Sequence, residues 1–261
     1  MQNEDYEYLY ALEESFWWFA GMREITASLL DPFLPESDRH ECKRMILDAG
    51  CGTGGNLEWL VRYSGQGHIV GIDVVPLAIE FCRQRHHQML SRASATDLPF
   101  ADEAFDLVTS FDVLVQIPGE GTDDQSISEM WRVLKPGGIA FVRGPAYRWM
   151  RSGHDEALDT QRRYTLGELN EKLERVGFKV LRSTYANSLL FPAVAVRRLL
   201  FKPLGLADSG SDVKPLPPSL EWLNRLLTRF LLWEARFLRN PNAKLPAGLS
   251  AISIVQKPIK R

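Results

Sequence analysis

Met45-Ile46-Leu47-Asp48-Ala49-Gly50-Cys51-Gly52-Thr53-Gly54-Gly55-Asn56 reads as a buried strand that runs into a glycine turn. Met45, Ile46 and Leu47 are apolar without alternation, the pattern of a strand covered on both faces. Gly50, Gly52 and Gly54 let the backbone turn sharply and bring a ligand close to bare amides. A helical pattern follows over residues 56–63, with Leu57, Leu60 and Val61 at helical spacing. A second short strand, 68–73, ends in Asp73, 19 residues past Gly54. That is near the ~20 at which a strand-end carboxylate meets the hydroxyls of a ribose. The spacing predicts an adenosine-containing ligand.

Gly50, Gly52 and Gly55 also satisfy G-x-G-x-x-G, the dinucleotide fingerprint, which alone is weakly specific. Asp48 separates the two readings. A carboxylate two residues before the first glycine would repel a pyrophosphate, which needs unopposed amides and a helix dipole. It suits a cation such as an ammonium. The run from Leu47 to Gly54 resembles motif I of the class I S-adenosylmethionine-dependent methyltransferases. The resemblance continues through Gly71-Ile72-Asp73, Leu98-Pro99-Phe100 with Phe105-Asp106-Leu107-Val108, and Arg132-Val133-Leu134-Lys135-Pro136-Gly137-Gly138. It implies an α/β, Rossmann-like doubly wound fold with a seven-stranded sheet, S-adenosyl-L-methionine as cofactor, and methyl transfer to O, N or C. Two other readings stay open: a nicotinamide-dependent oxidoreductase, and a non-catalytic S-adenosylmethionine-binding module.

At 261 residues, 45% apolar and 25% charged, the chain has the composition of an ordinary globular protein. No run of 18 uncharged apolar residues occurs, which speaks against a spanning helix. The start Met-Gln-Asn-Glu-Asp is acidic where a signal peptide is basic, so the expected location is cytoplasmic. Cys42, Cys51 and Cys82 are scattered, and neither a disulfide framework nor a metal site is suggested. The adjacent His86 and His87 read as solvated, and Cys51 as filling a small slot in the turn. The total charge of −2 hides an asymmetry: residues 182–261 carry a net +9 and residues 1–181 a net −11. Such a split suggests that the C-terminal part faces something anionic: a membrane surface, a phosphorylated acceptor or the chain's own acidic half.

Residues 4–31 read as one or two helices, with Tyr8, Leu12, Phe16, Phe19 and Ile25 near one face. Strands are expected at 45–49, 68–73, 90–94, 105–110, 139–143, 178–185 and 249–255, with helices at 55–63, 76–88 and 123–134 between them. Thr165-Leu166-Gly167-Glu168 is a capping box that starts another helix, which stops at Gly177. The organisation expected is an N-terminal helical lid (1–40), a core (41–186 and 249–261), and a helical insertion or cap (187–248). By the resemblance, strands six and seven would form a near-direct hairpin, so an insertion of about 60 residues is this chain's most individual feature. Within it, 189–200 is apolar apart from Arg197 and Arg198, 203–218 reads as a linker, and 220–239 is amphipathic. That last helix sets Leu223, Leu226, Leu227, Phe230, Phe237 and Leu238 against Arg225, Arg229, Arg236 and Arg239. It could lie on a membrane, grip a lipid-linked or phosphorylated acceptor, or cover the domain with a solvated basic face.

The resemblance also places residues. The turn (Asp48, Gly50, Cys51, Gly52, Gly54) would hold the methionine part, Asp73 with Val74 the ribose, and the loop after the third strand the adenine. Phe111 joins this cofactor set. Many relatives carry Gly-Asp-Ala in the adenine loop, but this chain has Ala93-Ser94-Ala95, which leaves Ser94 and the Ala95 amide for the role. After the fourth strand, where a Leu-Glu-His is frequent, it has Leu114-Val115-Gln116, and Gln116 can only hydrogen-bond. Trp17 and Trp18 look like the tryptophan pair that opens a bacterial subgroup of type 11-like methyltransferases, one ring for the core and one to lid the cofactor, or both as packing anchors. His154 is the best candidate base, with Tyr147 nearby as a second catalytic candidate. Arg162 and Tyr164, with Trp17, Trp18 and Gln116, form the expected substrate-binding set. The acceptor is expected to be a small molecule or a lipid-linked metabolite, not nucleic acid, with weak contact to a membrane surface as a further option.

Overall fold

The strand that opens this reading, β1 (Met45–Ala49), lies third in a seven-stranded sheet of order β3-β2-β1-β4-β5-β7-β6. β2 (His68–Asp73), β3 (Leu90–Arg92), β4 (Phe105–Phe111) and β5 (Leu134–Pro145) run parallel to it. β7 (Ser250–Gln256) is antiparallel to both its neighbours, β5 and β6 (Lys179–Ala186). The order reverses between β1 and β4, and the crevice outside the carboxyl ends of those strands is where such sheets take ligands. The computed structural model describes residues 3–34, 42–201 and 217–259. The expected 203–218 linker falls almost wholly outside them. No described helix is long and apolar enough to cross a membrane.

Both faces of the sheet are covered, as its apolar strands require. On one side Leu47, Val108, Val142 and Val255 pack with Ile127 and Met130 of α5 (Thr122–Val133) and with Leu169 and Leu173 of α7 (Leu166–Val176). The Thr165 capping box is formed, and Gly177 ends α7 in the left-handed conformation. On the other side Ile46, Leu107, Phe141, Ile252 and Ile254 meet three helices. They are α2 (Trp17–Leu30), α3 (Gly55–Ser64) and α9 (Glu221–Leu238). Met22, Ile25 and Leu29 of α2 and Leu231, Ala235 and Leu238 of α9 are buried there. Each such side chain contributes roughly 1.5–3 kcal/mol by leaving water.

α9, read as part of an insertion, is thus built into the layer. Arg182 of β6 donates from Nη2 to Leu238 O, Asn240 O and Ala243 O at 2.6, 2.9 and 3.1 Å, capping the carbonyl end of α9. Buried Glu234 accepts from the amides of Asn187 and Ser188 at 2.6 and 2.8 Å, fixing the exit of β6 that leads into α8 (Phe191–Phe201).

The structure departs from expectation in a few local places. The N-terminal stretch is two helices, α1 (Asn3–Leu12) and α2, and the break at 13–16 resets the phase. Tyr6 is therefore buried and Tyr8 exposed, the reverse of a single continuous face. α4 (Pro76–Gln84) stops four residues early because Arg85 turns back to the glycine loop and His86 adopts φ +66°. β5 begins at Leu134, with Lys135-Pro136-Gly137-Gly138 inside it, because Phe105 pairs with Leu134 and Gly137 N–H donates to Lys257 O.

Candidate cofactor and acceptor site

The glycine turn is held from below by β2. Gly50 and Cys51 amides donate to Ile72 O at 2.9 and 2.8 Å, and Gly52 N–H donates to Asp73 Oδ2 at 3.0 Å. Asp73 Oδ1 accepts from the Val75 amide at 2.9 Å, so the carboxylate is fixed at the strand end. Gly50 has φ +102°, and a Cβ there would come within 2.2 Å of Val113. A Cβ on Gly52 would meet nothing within 4 Å, so the turn faces open space at that residue. Cys51 fills its slot with Sγ 3.7 Å from Cys82 Sγ, and Cys82 Sγ lies 3.2 Å from Gly52 O. His87 is half-buried rather than solvated, its Nε2 3.2 Å from Gly54 O.

Asp48 is wholly buried beneath this turn. Its Oδ1 accepts from Thr109 Oγ1 at 2.8 Å, while Oδ2 has no hydrogen-bond partner among the described residues. Burial pushes its carboxyl up to about 7; the Thr109 hydroxyl opposes that shift and Glu13 adds to it. A buried carboxylate oxygen without a donor is costly, and a bound cation would relieve it.

Sequence reasoning missed Glu13. From the break between α1 and α2 its Oε2 accepts from Thr53 Oγ1 at 2.6 Å and from the Gly55 amide at 3.0 Å. The first turn of α3 therefore already holds a carboxylate supplied by the chain. Arg85 completes the lock: it donates to Thr53 O, Tyr10 O and Glu14, approaches Glu13 Oε2 at 3.5 Å, and lies over the Tyr10 ring. Arg23 of α2 donates to Glu13 O, and its Nε is a second buried atom without a partner among the described residues. Tyr6 of α1 packs on Ala78 and Phe81 of α4; burial, with Asp73 nearby, raises its hydroxyl. The one sequence signal for this cluster was an acidic pair, Glu13-Glu14, inside an otherwise apolar stretch.

In the expected adenine loop Ser94 Oγ lies 2.7 Å from Thr96 Oγ1 and accepts from the Thr96 amide. Glu129 and Arg132 of α5 brace that loop through Leu98 N, Leu98 O and Phe100 O. Ala95 is buried beside it and Val74 is exposed.

The expected substrate residues fall into two groups. Trp18 and Phe111 line a small cavity at the ends of β4 and β5, with Arg143, which pairs with Asp112 at 2.6 Å and lies 4.8 Å from the Trp18 ring. Trp17 does not line this cavity; its backbone amide donates to Asn224 Oδ1 of α9 at 2.9 Å. Neither ring is fully buried. Arg162 and Tyr164 line a separate cavity of about 570 Å³ beside α5 and α7. Both are engaged there: Arg162 donates to Leu114 O, Gly119 O and Thr122, and Tyr164 OH to Asp123 at 2.7 Å. Arg163 is buried on Asp155 and Ala146 O. Half-buried Gln116 caps the turn after β4, its amide donating to Val113 O. Tyr147 sits at φ +59°, a strained setting for an aromatic residue, stacked between Tyr185 and Trp149 and against Phe191. Burial and the Tyr185 hydroxyl raise its phenol, so it is a donor at neutral pH rather than a base. His154 starts the short α6 (Gly153–Ala157); its side chain lies outside the described residues.

Residues 47–142, the strands and loops that build this crevice, match the family described as "Methyltransferase domain". This segment is a methyltransferase domain. It is 30% identical over 145 residues to a protein of Mycolicibacterium smegmatis named a probable S-adenosylmethionine-dependent methyltransferase, covering 54% of each. It is 35% identical over 98 residues to a fatty-acid O-methyltransferase of the same organism, covering 36% of this chain and 35% of that one. The chain thus spans about half, or less, of the length of these curated relatives. A structure from Thermotoga maritima, described as an S-adenosylmethionine-dependent methyltransferase and possible histamine N-methyltransferase, shares the fold with a TM-score of 0.58 at 16% identity, covering 97% of this chain and 95% of that one.

The protein's own residues fit S-adenosylmethionine. The orphan Asp48 Oδ2 is a ready acceptor for an ammonium, Asp73 retains lone pairs beyond its two amide bonds, and the turn is open at Gly52. They do not fit a pyrophosphate, because Glu13 holds the Gly55 amide that such a group would need.

Proposed function

We propose that this protein transfers the methyl group of S-adenosylmethionine to a small-molecule or lipid-linked acceptor. The observation that carries the reading is the pair of carboxylates around the glycine turn: Asp48 buried with a free oxygen, and Glu13 seated on the first turn of α3. Together they make a cation site of what is otherwise a phosphate site. When bound, the cofactor supplies an already activated sulfonium methyl, so the protein's work is placement and exclusion of water. Asp48 would hold the ammonium and Asp73 the ribose hydroxyls, with Ser94 and the Ala95 amide at the adenine.

The acceptor would enter between the tryptophan pair and the aromatic group of Tyr147, Trp149, Tyr185 and Phe191. That wall, with the apolar start of α8, suits an acyl or prenyl chain, in keeping with a relative named for fatty acids. Tyr147 is placed to donate a hydrogen bond. His154 remains the candidate base, and an amine acceptor would need only to arrive deprotonated.

Calorimetry tests the cofactor. S-adenosylmethionine and S-adenosylhomocysteine should bind and NAD should not; NAD binding without S-adenosylhomocysteine binding would refute the reading. Asp73→Ala should weaken the cofactor by roughly 1.5–3 kcal/mol per lost hydroxyl contact at most.

A further inference from the structure

The outward face of α9 carries an unbroken apolar stripe. Trp222, Leu226, Phe230, Trp233 and Phe237 follow one another at intervals of four, four, three and four residues, and all are between 37 and 60% exposed. At 3.6 residues per turn they fall within an arc of about 80°. The sequence pattern set Leu226, Phe230 and Phe237 on the same side as Leu238. Instead the inner side is Leu231, Glu234, Ala235 and Leu238, and the aromatics look outward. Arg225, Arg229 and Arg236 are exposed along one flank, with Arg239 at the helix end. Only two acids lie on α9: Glu234 is buried on the Asn187 and Ser188 amides, and Glu221 sits in the first turn, 3.6 Å from Arg225.

We infer that this face is an interfacial helix that seats the protein on an anionic lipid bilayer. Tryptophan and phenylalanine in one stripe, arginine beside it and no acid between Trp222 and Phe237 except the buried Glu234 are the chemistry of a helix lying in the headgroup plane. The charge is complementary to such a surface, since residues 182–261 carry a net +9. A second copy of the chain is a poorer occupant, because pairing this face with itself antiparallel across a two-fold axis sets its arginines beside those of the partner. The inner side of α9 is fixed by α2 and by Arg182, so the helix is preformed and loses little freedom on docking. The inference stands apart from the methyl-transfer reading and can fail without it.

The test uses the full chain and vesicles of phosphatidylcholine, alone or with 30% phosphatidylglycerol. Co-sedimentation with the anionic vesicles at low salt, loss at high salt and no binding to neutral vesicles are the expected results. R225Q/R229Q/R236Q should weaken binding on the order of a hundredfold, at about 1 kcal/mol per basic residue. W222S/F230S/W233S should abolish it; every position in both variants is solvent-exposed, and an unchanged melting temperature shows that the fold is kept. Absence of sedimentation at low salt would overturn the inference. So would binding that neither variant changes, or a concentration-dependent dimer that the aromatic variant dissolves.

Discussion

Asp48 and Glu13 show how differently two buried acids are written in a sequence. Asp48 sits inside a local pattern, two residues before the first glycine, and its position beside the turn was legible from that place alone. Glu13 bonds Thr53 and Gly55, some 40 residues on, and approaches Arg85 72 residues away, and nothing near it in sequence announces those partners. Asp48 also ties stability to pH. Its ordinary value is 3.8 and in the folded chain it is about 7, so between those limits the folded state holds a proton that the unfolded state has lost. Stability without cofactor should therefore fall as pH rises from about 4 to about 7, by at most about 4 kcal/mol, and then level off. Asp48→Asn should flatten that part of a melting-temperature profile. The same substitution should weaken S-adenosylmethionine roughly 10- to 150-fold by calorimetry, since it removes a charged acceptor. For the wild-type chain, cofactor affinity should drop as pH falls below about 7, where Asp48 takes up a proton. Glu13→Ala should lower stability by about 2–4 kcal/mol in urea, leaving the Gly55 amide and the Thr53 hydroxyl without their acceptor and Arg85 without one of its two carboxylates. Glu13→Gln, which keeps one oxygen, should lose about half as much.

Among the elements, strands were the most legible: β1, β2 and β4 fall within a residue of their expected bounds because burial on both faces leaves a continuous apolar signature. Helix faces were less so. A 3.6-residue pattern says that a helix has a buried side, but α9 offers two apolar sides. Only α2, nearly 200 residues earlier, decides that Leu231 and Leu238 go inward while Phe230 and Trp233 stay out. Gly21 is the hinge of that choice. A Cβ there would sit 2.4 Å from Leu231 Cβ, so the two helices touch backbone to side chain. Gly21→Ala should cost about 1–3 kcal/mol by overpacking, and Leu231→Ala about 2–5 kcal/mol by leaving a cavity. The double variant should cost only somewhat less than the sum, because alanine at 231 removes the Cδ1 and Cγ that the new methyl meets at 2.4 and 2.9 Å but keeps the Cβ at 2.4 Å. Additive losses in chemical denaturation would mean that the pair does not share one space.

For the whole molecule, α9 of the expected insertion packs in the same layer as the core. Excising 191–239 would strip α9 from Ile46, Ile252 and Ile254 and leave Arg182 buried without acceptors at Leu238. The expected result is loss of cooperative melting by circular dichroism rather than a smaller, folded domain. The charge split, by contrast, was visible from composition, and part of it lies on the exposed arginine flank of α9. The position of β7 has a consequence for synthesis. β7 is translated after every strand it joins, yet it lies between β5 and β6, so those two have no hydrogen-bonded connection until residues 250–256 leave the ribosome. Until that moment the nascent chain presents two open edges and the uncovered Ile252 and Ile254 site beneath α9. Ribosome stalling or premature termination anywhere upstream of Ser250 should thus yield an aggregating species, which makes translation through the final strand the step at which a chaperone matters most to this protein.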